Sequence, residues 1–440
     1  KTSSATTLKD DFASPLELAN RLVHHPEAPR AHALWIDSGD CGVHRLAALP
    51  DRVERLSVDT LPHRGLADWL RERLPPEGGD GHLHVLLLAY DAGRNLERIP
   101  ATATIDPPLP DVVLARYPAW YEAANASSAP ELRGEPDAGE VLRGWLQGAD
   151  QVPPPPLPDL TLESSMAPAD HAAALGGILD GIAAGSLYQA NVARRLSAPL
   201  DAAAAPALYT RLRATNPAPF GALWALDSQT WLASNSPECL LTWDPTTRAV
   251  HSYPIKGTRP RGDTPEEDGA LAAELSSDDK ERAEHLMIVD LVRNDLGRIA
   301  VPGSVTVDDL FGVHTWPTVH HMVSDVHATA REGLDLVDIA LSLFPGGSIT
   351  GAPKIAAMTW IEAVEGLRRG FYCGSLGVIE PNGRASMNIL IRTCVAADGR
   401  LFYQTGGGIV ADSDPATEWR ETEVKARALT SLLRQSRQSR

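Results

Sequence analysis

Tight-turn dipeptides between apolar runs restrict the fold of this chain more than any other feature of its sequence. Asn382-Gly383 and Asp398-Gly399 separate three runs of alternating apolar residues between Phe371 and Thr405. Asn-Gly and Asp-Gly supply the positive φ angles of hairpin turns, which join antiparallel strands. A parallel sheet would instead need a helix between successive strands. We therefore predict an antiparallel meander over residues 371–405 and the α+β class, with large antiparallel sheets and helices outside them.

Length and charge exclude several classes of protein. The 440 residues, 43% of them hydrophobic, are enough for two or three domains or for one large unit. A net charge of -17 without a clustered basic patch argues against nucleic acid or an anionic membrane as a partner. No apolar run has membrane-spanning length, and the polar N-terminus lacks a signal-peptide apolar region. We expect a cytoplasmic protein whose four cysteines, with no metal-ligand spacing, are reduced core residues: Cys41, Cys239, Cys373 and Cys394.

A run of four prolines, Pro153–Pro156, is the clearest seam in the chain. Consecutive prolines cannot form strand ladders and favour an extended connector. The apolar runs before the seam, separated by polar helical stretches, indicate a mixed α and β region. The predicted boundaries are therefore an N-terminal region over 1–150, a proline-rich connector over 151–160 and a second domain over 161–436.

The C-terminal helix carries a regular pattern of charges. Asp414 is a candidate N-cap, and Pro415 occupies the first helical position, where a missing N–H costs nothing. Glu418, Glu421 and Lys425 follow at spacings of three and four residues, so their side chains share one face of the helix. In an isolated helix this pattern is typical of a solvated face stabilised by a Glu–Lys pair, and that alternative stays open.

A second predicted helix offers the same chemistry. Asp278 caps a segment in the manner of a capping box, and Glu281 and Glu284 lie three residues apart on one face. Two helices with paired carboxylates could together hold a hard divalent cation such as Mg²⁺, which also keeps waters and takes a substrate oxygen. The sequence by itself does not show that the two helices face each other.

Lysine is scarce, at six of the forty basic residues, and one lysine has unusual neighbours. Lys256 lies in Tyr253-Pro254-Ile255-Lys256-Gly257-Thr258. Unlike arginine, a lysine can lose its proton on burial and then act as a nucleophile. Glu238 precedes it by one predicted hairpin, so a carboxyl group and an amine on neighbouring strands could act as general acid and nucleophile. A chance lysine and a surface glutamate are the alternatives.

Two glycine-rich segments could bind an anion through backbone N–H groups. Thr405–Gly408 follows a strand-like run, and Pro345–Lys354 precedes a predicted helix. The second segment is not a phosphate-binding loop, because Gly351 is not followed by the required Lys-Ser/Thr pair. Glycines that serve tight turns are the alternative. With Arg392 nearby in the predicted sheet, a carboxylate-binding pocket is the sharper interpretation.

Together these residues resemble the chorismate-utilising enzymes, namely anthranilate synthase component I, aminodeoxychorismate synthase component I, isochorismate synthase and salicylate synthase. The similarity runs from about residue 188 to 425 and rests on these strings: SPE at 236–238, PIKGTRPRG at 254–262, KERAEHLMIVDLVRNDLGR at 280–298, GGSITGAPK at 346–354, IRT at 391–393, GGGIVADS at 406–413 and ETEVKA at 421–426. The first third is similar only loosely, through Leu34–Ser38, near where some anthranilate synthases hold inhibitory tryptophan. Ser38 is therefore a possible tryptophan-site residue.

The resemblance implies two large antiparallel sheets packed face to face with helices outside, and a chorismate-binding catalytic domain over 161–436. Lys256 stands where anthranilate synthases have the alanine of PIAGT, which is the aminodeoxychorismate synthase feature. Tyr188-Gln189-Ala190-Asn191 has no lysine where the water-using synthases carry a lysine base. The branch most resembled is thus aminodeoxychorismate synthase component I, of para-aminobenzoate and folate biosynthesis. Anthranilate synthase component I and an idle chorismate- or tryptophan-binding regulatory subunit are the alternatives.

The resemblance also implies roles for individual residues. Mg²⁺ would be held by Glu284 and Glu421, with Glu281 and Glu418 supporting directly or through waters. Lys256, desolvated and uncharged, would add at C2 of chorismate while Glu238 protonates the departing C4 hydroxyl, and ammonia would then add at C4. The implied substrate-binding residues are Tyr372, Arg392, Gly406, Gly407, Lys425, Thr350 and His321.

Ammonia must come from another protein if this interpretation holds. None of the four cysteines lies in the Gly-x-Cys-x-Gly turn of a glutaminase. Use of glutamine would therefore require a separate glutamine amidotransferase subunit, and we expect a heterodimer of the two chains.

Overall fold

The computed structural model describes residues 12–39, 42–77, 79–148, 156–316 and 319–435. The strands of these residues are β1 (Leu34–Asp37), β2 (His44–Ala47), β3 (Arg52–Leu56), β4 (Leu83–Leu88), β5 (Val112–Tyr117), β6 (Ala119–Ala123), β7 (Glu131–Gly134), β8 (Glu163–Ser164), β9 (Gln189–Pro199), β10 (Phe220–Ala225), β11 (Trp231–Ser236), β12 (Cys239–Asp244), β13 (Ala249–Tyr253), β14 (Ile255–Pro260), β15 (Thr306–Thr315), β16 (Val319–Thr329), β17 (Gly351–Ala352), β18 (Ser375–Ile379), β19 (Ala385–Asn388), β20 (Thr393–Ala397) and β21 (Arg400–Ile409).

The α-helices of the same residues are α1 (Pro15–Val23), α2 (Gly65–Arg71), α3 (Gly93–Leu96), α4 (Pro136–Gln147), α5 (Pro168–Ala183), α6 (Ala205–Thr215), α7 (Pro265–Ser277), α8 (Asp279–Gly297), α9 (Leu336–Leu343), α10 (Lys354–Glu365) and α11 (Pro415–Gln435). Both predicted N-caps are confirmed. Asp278 Oδ1 accepts a hydrogen bond from the Glu281 N–H at 3.0 Å, and Asp414 Oδ1 accepts one from the Thr417 N–H at 2.9 Å. The two acidic helices therefore begin where the sequence predicts.

The strands form two large antiparallel sheets. One has the order β17-β9-β21-β20-β11-β10-β1-β2-β6-β7, with β8 paired to β9. The other has the order β14-β16-β13-β12-β19-β18-β4-β5-β3, with β15 paired to β16. Both sheets contain strands from before and after the proline-rich connector. Residues 151–155 of that connector lie outside the described residues, and the domain division stays a prediction about the sequence.

Alternation along the strands explains how the sheets pack. Leu34 of β1 and Val85 of β4 lie in one apolar cluster between the two sheets. The next residues in the chain, Trp35 and Leu86, lie in two further clusters on the outer faces, under helices. Because successive side chains of a strand point to opposite faces, each strand contributes to an inner and an outer layer. Helices α1, α4, α6 and α11 cover one sheet, and α2, α8 and α9 cover the other. Helices α5 and α10 pack against β9 of the first sheet. The predicted fold is confirmed.

The predicted meander is wrong in one respect. Asn382-Gly383 joins β18 to β19, and Asp398-Gly399 joins β20 to β21, as the turn chemistry indicated. The two hairpins belong to different sheets, however. The chain passes from one sheet to the other between β19 and β20, where Arg392 has a φ of 51°. Turn dipeptides determine which adjacent strands pair, but a bend between hairpins can send the next pair into the facing sheet.

Within the described residues, no helix is both long enough and apolar enough to cross a bilayer. Cys239, Cys373 and Cys394 are free and buried, as expected, and Cys41 lies outside the described residues.

A hydrogen-bond chain between the two sheets gives a test of the core. Trp224 Nε1 donates to the Tyr117 hydroxyl at 3.0 Å, and that hydroxyl donates to the His32 carbonyl at 2.7 Å. We expect Tyr117→Phe to lower the free energy of unfolding by about 1–3 kcal/mol, because a buried indole N–H loses its acceptor. Tyr188→Phe is the matched control, since Tyr188 is 68% exposed. Equal urea unfolding curves for the two variants would contradict this account of the core.

Candidate functional site

The two acidic helices converge on the amine of Lys256. Lys256 lies on β14, and its Nζ is 2.7 Å from Glu284 Oε2 of α8. The negative charges of Glu284, Glu281 and Glu421 act on this amine, and Glu418 is also within its electrostatic reach. The question left open by the sequence is therefore answered: carboxylates from α8 and α11 face one pocket.

Glycines on two strands let the carboxylates approach the backbone. A Cβ at Gly407 of β21 would lie 3.2 Å from Glu418 Oε2 and 3.4 Å from Glu421 Oε1. A Cβ at Gly257 of β14 would lie 3.2 Å from Glu281 Oε2, and its φ of 80° also favours glycine. Side chains at these positions would crowd the acidic groups, so the glycines define the floor of the pocket.

The donor set of the pocket fits a hard divalent cation. Glu418 Oε1 accepts a hydrogen bond from Ser413 Oγ at 2.7 Å, while its buried Oε2 has no hydrogen-bond partner. Burial raises the pKa of Glu418 and of Glu281, and a neighbouring glutamate adds to each rise. In the described residues no three of these carboxylates bring oxygens within 4.8 Å of one another. Mg²⁺ binding at this pocket therefore stays a prediction.

The charge of Lys256 differs from the expectation. Its side chain is 20% exposed, and burial alone would lower the pKa of the amine. The charges of Glu284, Glu421 and Glu281 outweigh burial, however, so that the pKa is raised. In this structure the carboxylates that the sequence assigned to a metal stabilise the ammonium ion, and the uncharged amine stays a prediction.

Glu238 has the properties of an acid that works near neutral pH. It follows β11 and is 5% exposed. Burial raises its pKa to about 7, against the opposing influence of a hydrogen bond from Ser348 and of the charges of Lys425, Lys256 and Arg392. The Ser348 hydroxyl donates to Glu238 Oε1 at 2.7 Å. A carboxyl group with a pKa near the working pH can both give and take a proton.

Three predicted substrate-binding side chains surround this acid and amine. Arg392 lies directly before β20, and burial lowers the pKa of its guanidinium. The negative charge of Glu238 opposes this shift. Lys425 Nζ of α11 donates to the Gly406 carbonyl at 2.9 Å and lies 2.6 Å from Glu421 Oε1. Burial lowers the pKa of His321 to about 4, so its imidazole is neutral at neutral pH. Two cations and a neutral imidazole suit a substrate with carboxylates and a hydroxyl.

Other predicted residues are used differently. The buried Thr350 hydroxyl donates to the Gly346 carbonyl at 2.8 Å and thereby holds the glycine-rich loop. Gly406 pairs with Ala193 of β9. Tyr372 lines a cleft whose walls include Arg369 and not Lys256. The binding roles of these three residues stay predictions.

Ser38, the predicted tryptophan-site residue, lies in the turn between β1 and β2. The Ser38 hydroxyl donates to the Val43 carbonyl at 2.7 Å, a bond that closes the turn between β1 and β2. Residues 40 and 41 of this turn lie outside the described residues, and tryptophan binding stays a prediction.

Two residues that hydrogen-bond to predicted site residues were not predicted from the sequence. Ser348 donates to Glu238, and Ser413 donates to Glu418. Both lie inside the strings GGSITGAPK and GGGIVADS, so their position was visible but their partners were not. Ser348 and Glu238 are 110 residues apart in the chain, whereas Ser413 and Glu418 are five residues apart, across the start of α11.

Glu238 also gives a test of its environment. Burial raises the pKa of this carboxyl group from its ordinary value of 4.5 to about 7 in the folded chain, so the folded state binds an additional proton between these values. We expect the stability of the wild type relative to Glu238→Gln to fall by about 3 kcal/mol as the pH rises from 4 to 8. Urea unfolding of both proteins across this range measures the difference. Parallel pH profiles would show that the carboxyl group is not shifted.

Comparison with known proteins agrees with this geometry. The family of chorismate binding enzymes matches residues 39–431. Anthranilate synthase component 1 1 of Haloarcula marismortui is 41% identical over 369 residues, which cover 79% of this chain and 74% of that protein. Aminodeoxychorismate synthase component 1 of Escherichia coli is 38% identical over 366 residues, covering 82% and 78%. The crystal structure of anthranilate synthase component I from Streptococcus pneumoniae matches with a TM-score of 0.76 and 27% identity, covering 88% and 92%. The matched span contains Lys256 and the four glutamates of α8 and α11, and the chain belongs to the chorismate-binding enzyme family.

Proposed function

We propose that this chain is an aminodeoxychorismate synthase component I, which converts chorismate and ammonia to 4-amino-4-deoxychorismate. The observation that carries the proposal is the position of Lys256, whose amine lies among the carboxylates of α8 and α11 and acts electrostatically on Glu238. A nucleophile and an acid of suitable pKa thus share one pocket.

The remaining residues bind and orient chorismate. Arg392 and Lys425 supply positive charge for its carboxylates, and neutral His321 offers a hydrogen bond without adding charge. The four glutamates would hold Mg²⁺, which when bound supplies positive charge and Lewis acidity to a substrate carboxylate. Without a cation, four carboxylates would repel an anionic substrate, so the acidic walls of the pocket support a metal requirement.

The covalent step balances without an oxidant or reductant. Lys256 attacks C2 as the free amine, so its ammonium must first transfer a proton to a base such as Glu284 and leave the ion pair. As the N–C2 bond forms, the two ring double bonds shift and the C4–O bond breaks. Glu238 gives its proton to the departing oxygen, which leaves as water. Ammonia then bonds to C4, the double bonds shift back, and the Lys256 nitrogen leaves C2 with its electron pair.

Ammonia would come from a glutamine amidotransferase subunit in a heterodimer. The absence of a glutaminase nucleophile turn from the sequence supports this division of labour. We expect the purified chain to use ammonium salts and to gain glutamine use when the partner is added. Turnover of glutamine by this chain alone would contradict the proposal.

Anthranilate synthase component I is the second candidate, favoured by the 41% identity to the Haloarcula protein. Lys256 argues against it, because the resemblance places alanine there in anthranilate synthases. The two products are easily distinguished. Anthranilate is aromatic, fluorescent and lacks the pyruvate portion, whereas aminodeoxychorismate retains it.

The nucleophile is tested by Lys256→Ala. We expect the rate of aminodeoxychorismate formation to fall by at least about 10²-fold, since the C2 attack is lost. Lys280→Ala is the matched control, because that amine is 62% exposed and 3.8 Å from the same Glu284. Mass spectrometry of the products with ammonium as donor measures both rates. An unchanged rate in Lys256→Ala would rule out the nucleophile.

The metal role is tested on the acidic helices. Glu284→Gln and Glu421→Gln should weaken Mg²⁺ binding by about tenfold or more, because each removes a charged oxygen donor. Glu423→Gln, on the same helix as Glu421 but exposed, should leave it unchanged. Isothermal titration with Mg²⁺ gives the affinities directly, and chorismate consumption with a chelator gives the activity. Equal Mg²⁺ affinity in all three variants would place the metal elsewhere.

A further inference from the structure

A second group of possible metal ligands lies on the ten-stranded sheet, outside the pocket described above. It consists of His251 on β13 with Asp325 and His327 on β16. His251 pairs directly with His327 across the two antiparallel strands. One donor atom from each of the three side chains lies within 4.8 Å of the other two. Among the described residues, no other group of three or more His, Cys, Asp or Glu side chains has its donor atoms this close together.

The donor geometry approaches that of a small metal ion. His251 Nδ1 lies 3.0 Å from Asp325 Oδ1, and His327 Nδ1 lies 3.8 Å from the same oxygen. Donors placed tetrahedrally at about 2.0–2.1 Å from zinc stand about 3.3 Å apart. The observed separations lie on either side of that value.

One ring nitrogen of this group has no hydrogen-bond partner in the described residues. His327 Nδ1 is buried and has no hydrogen-bond partner. The other ring nitrogen, Nε2, lies 2.6 Å from Thr306 Oγ1 of β15. This bond lets Nε2 carry the ring proton and leaves the Nδ1 lone pair free, which is how metal-binding histidines are commonly oriented. A buried nitrogen lone pair without a donor costs stability unless something binds there.

A fourth donor is within reach. Asp308 Oδ2 of β15 lies 3.9 Å from His327 Nδ1, and its side chain is 70% exposed and able to move. The three main ligands are about 30% exposed, at 31% for His251, 27% for Asp325 and 28% for His327. The group is therefore open enough for an ion to enter and closed enough to order its donors.

We propose that His251, Asp325 and His327 bind a divalent transition-metal ion of the zinc class, completed by Asp308 or water. Two imidazoles and one carboxylate select such ions over Mg²⁺, which prefers oxygen donors. The ion would tie β13, β16 and β15 together. Because β16 also pairs with β14, which carries Lys256, the site would stabilise the sheet edge that positions the predicted nucleophile.

The test is a titration of the metal-free full chain with Co²⁺, with Mg²⁺ in excess to fill the acidic pocket. Co²⁺ replaces zinc and reports its coordination through visible absorption. We expect one equivalent to bind, Zn²⁺ to displace it, and the affinity to fall at least about tenfold in His251→Gln and His327→Gln. Asp325→Asn, which keeps the size of the side chain, should show the same loss even if a histidine variant fails to fold.

His314→Gln is the matched control. His314 also pairs with an aspartate on β15, at 2.8 Å from Asp309 Oδ2, but lacks the third donor. Its Co²⁺ binding should equal that of the wild type. No binding of Co²⁺ by the wild type, or binding that the His251, His327 and Asp325 variants retain unchanged, would overturn the proposal. Activity enters neither outcome, so the result is independent of the proposed reaction.

Discussion

Repulsion among four buried or half-buried carboxylates is the constraint on which the pocket depends. In α8, the charge of Glu284 adds to the rise in the pKa of Glu281 that burial causes. In α11, the charge of Glu421 does the same for the pKa of Glu418. Like charges at this range destabilise a fold unless a cation offsets them. The Lys256 amine supplies that offset in this structure through its 2.7 Å contact with Glu284. The same charges that would attract a divalent cation therefore also determine the state of the predicted nucleophile.

The fold holds these charges in place by fastening α11 to β21. Tyr403 donates to the Lys425 carbonyl at 3.1 Å, and Thr405 donates to the Thr422 carbonyl at 2.9 Å. Lys425 in turn donates to the Gly406 carbonyl at 2.9 Å. Three bonds along one strand fix the position of the helix, and Gly407 leaves room for its carboxylates. Because β21 pairs with β9 over its whole length, these bonds anchor the acidic face of α11 to a strand inside the sheet.

Local sequence signals predicted the local structure well, and long-range contacts account for what they missed. Asp278 and Asp414 cap their helices as expected, since a cap depends on residues three positions away. The turn at Asn382-Gly383 likewise needs only its neighbours. The passage of the chain between sheets near Arg392 depends on packing between distant strands, and so does the raised pKa of Lys256, which arises from glutamates far along the chain. Spacing could show which carboxylates share a face, but not what that face meets.

The most direct test of the central claim is a crystal structure with Mg²⁺ and an unreactive chorismate analogue. The account predicts metal density between the carboxylates of α8 and α11, in contact with a carboxylate of the analogue. It also predicts that Lys256 Nζ leaves Glu284 and faces C2 of the ring, with Glu238 on the side of the C4 hydroxyl. Metal bound elsewhere, or Lys256 turned away from the ring, would contradict it.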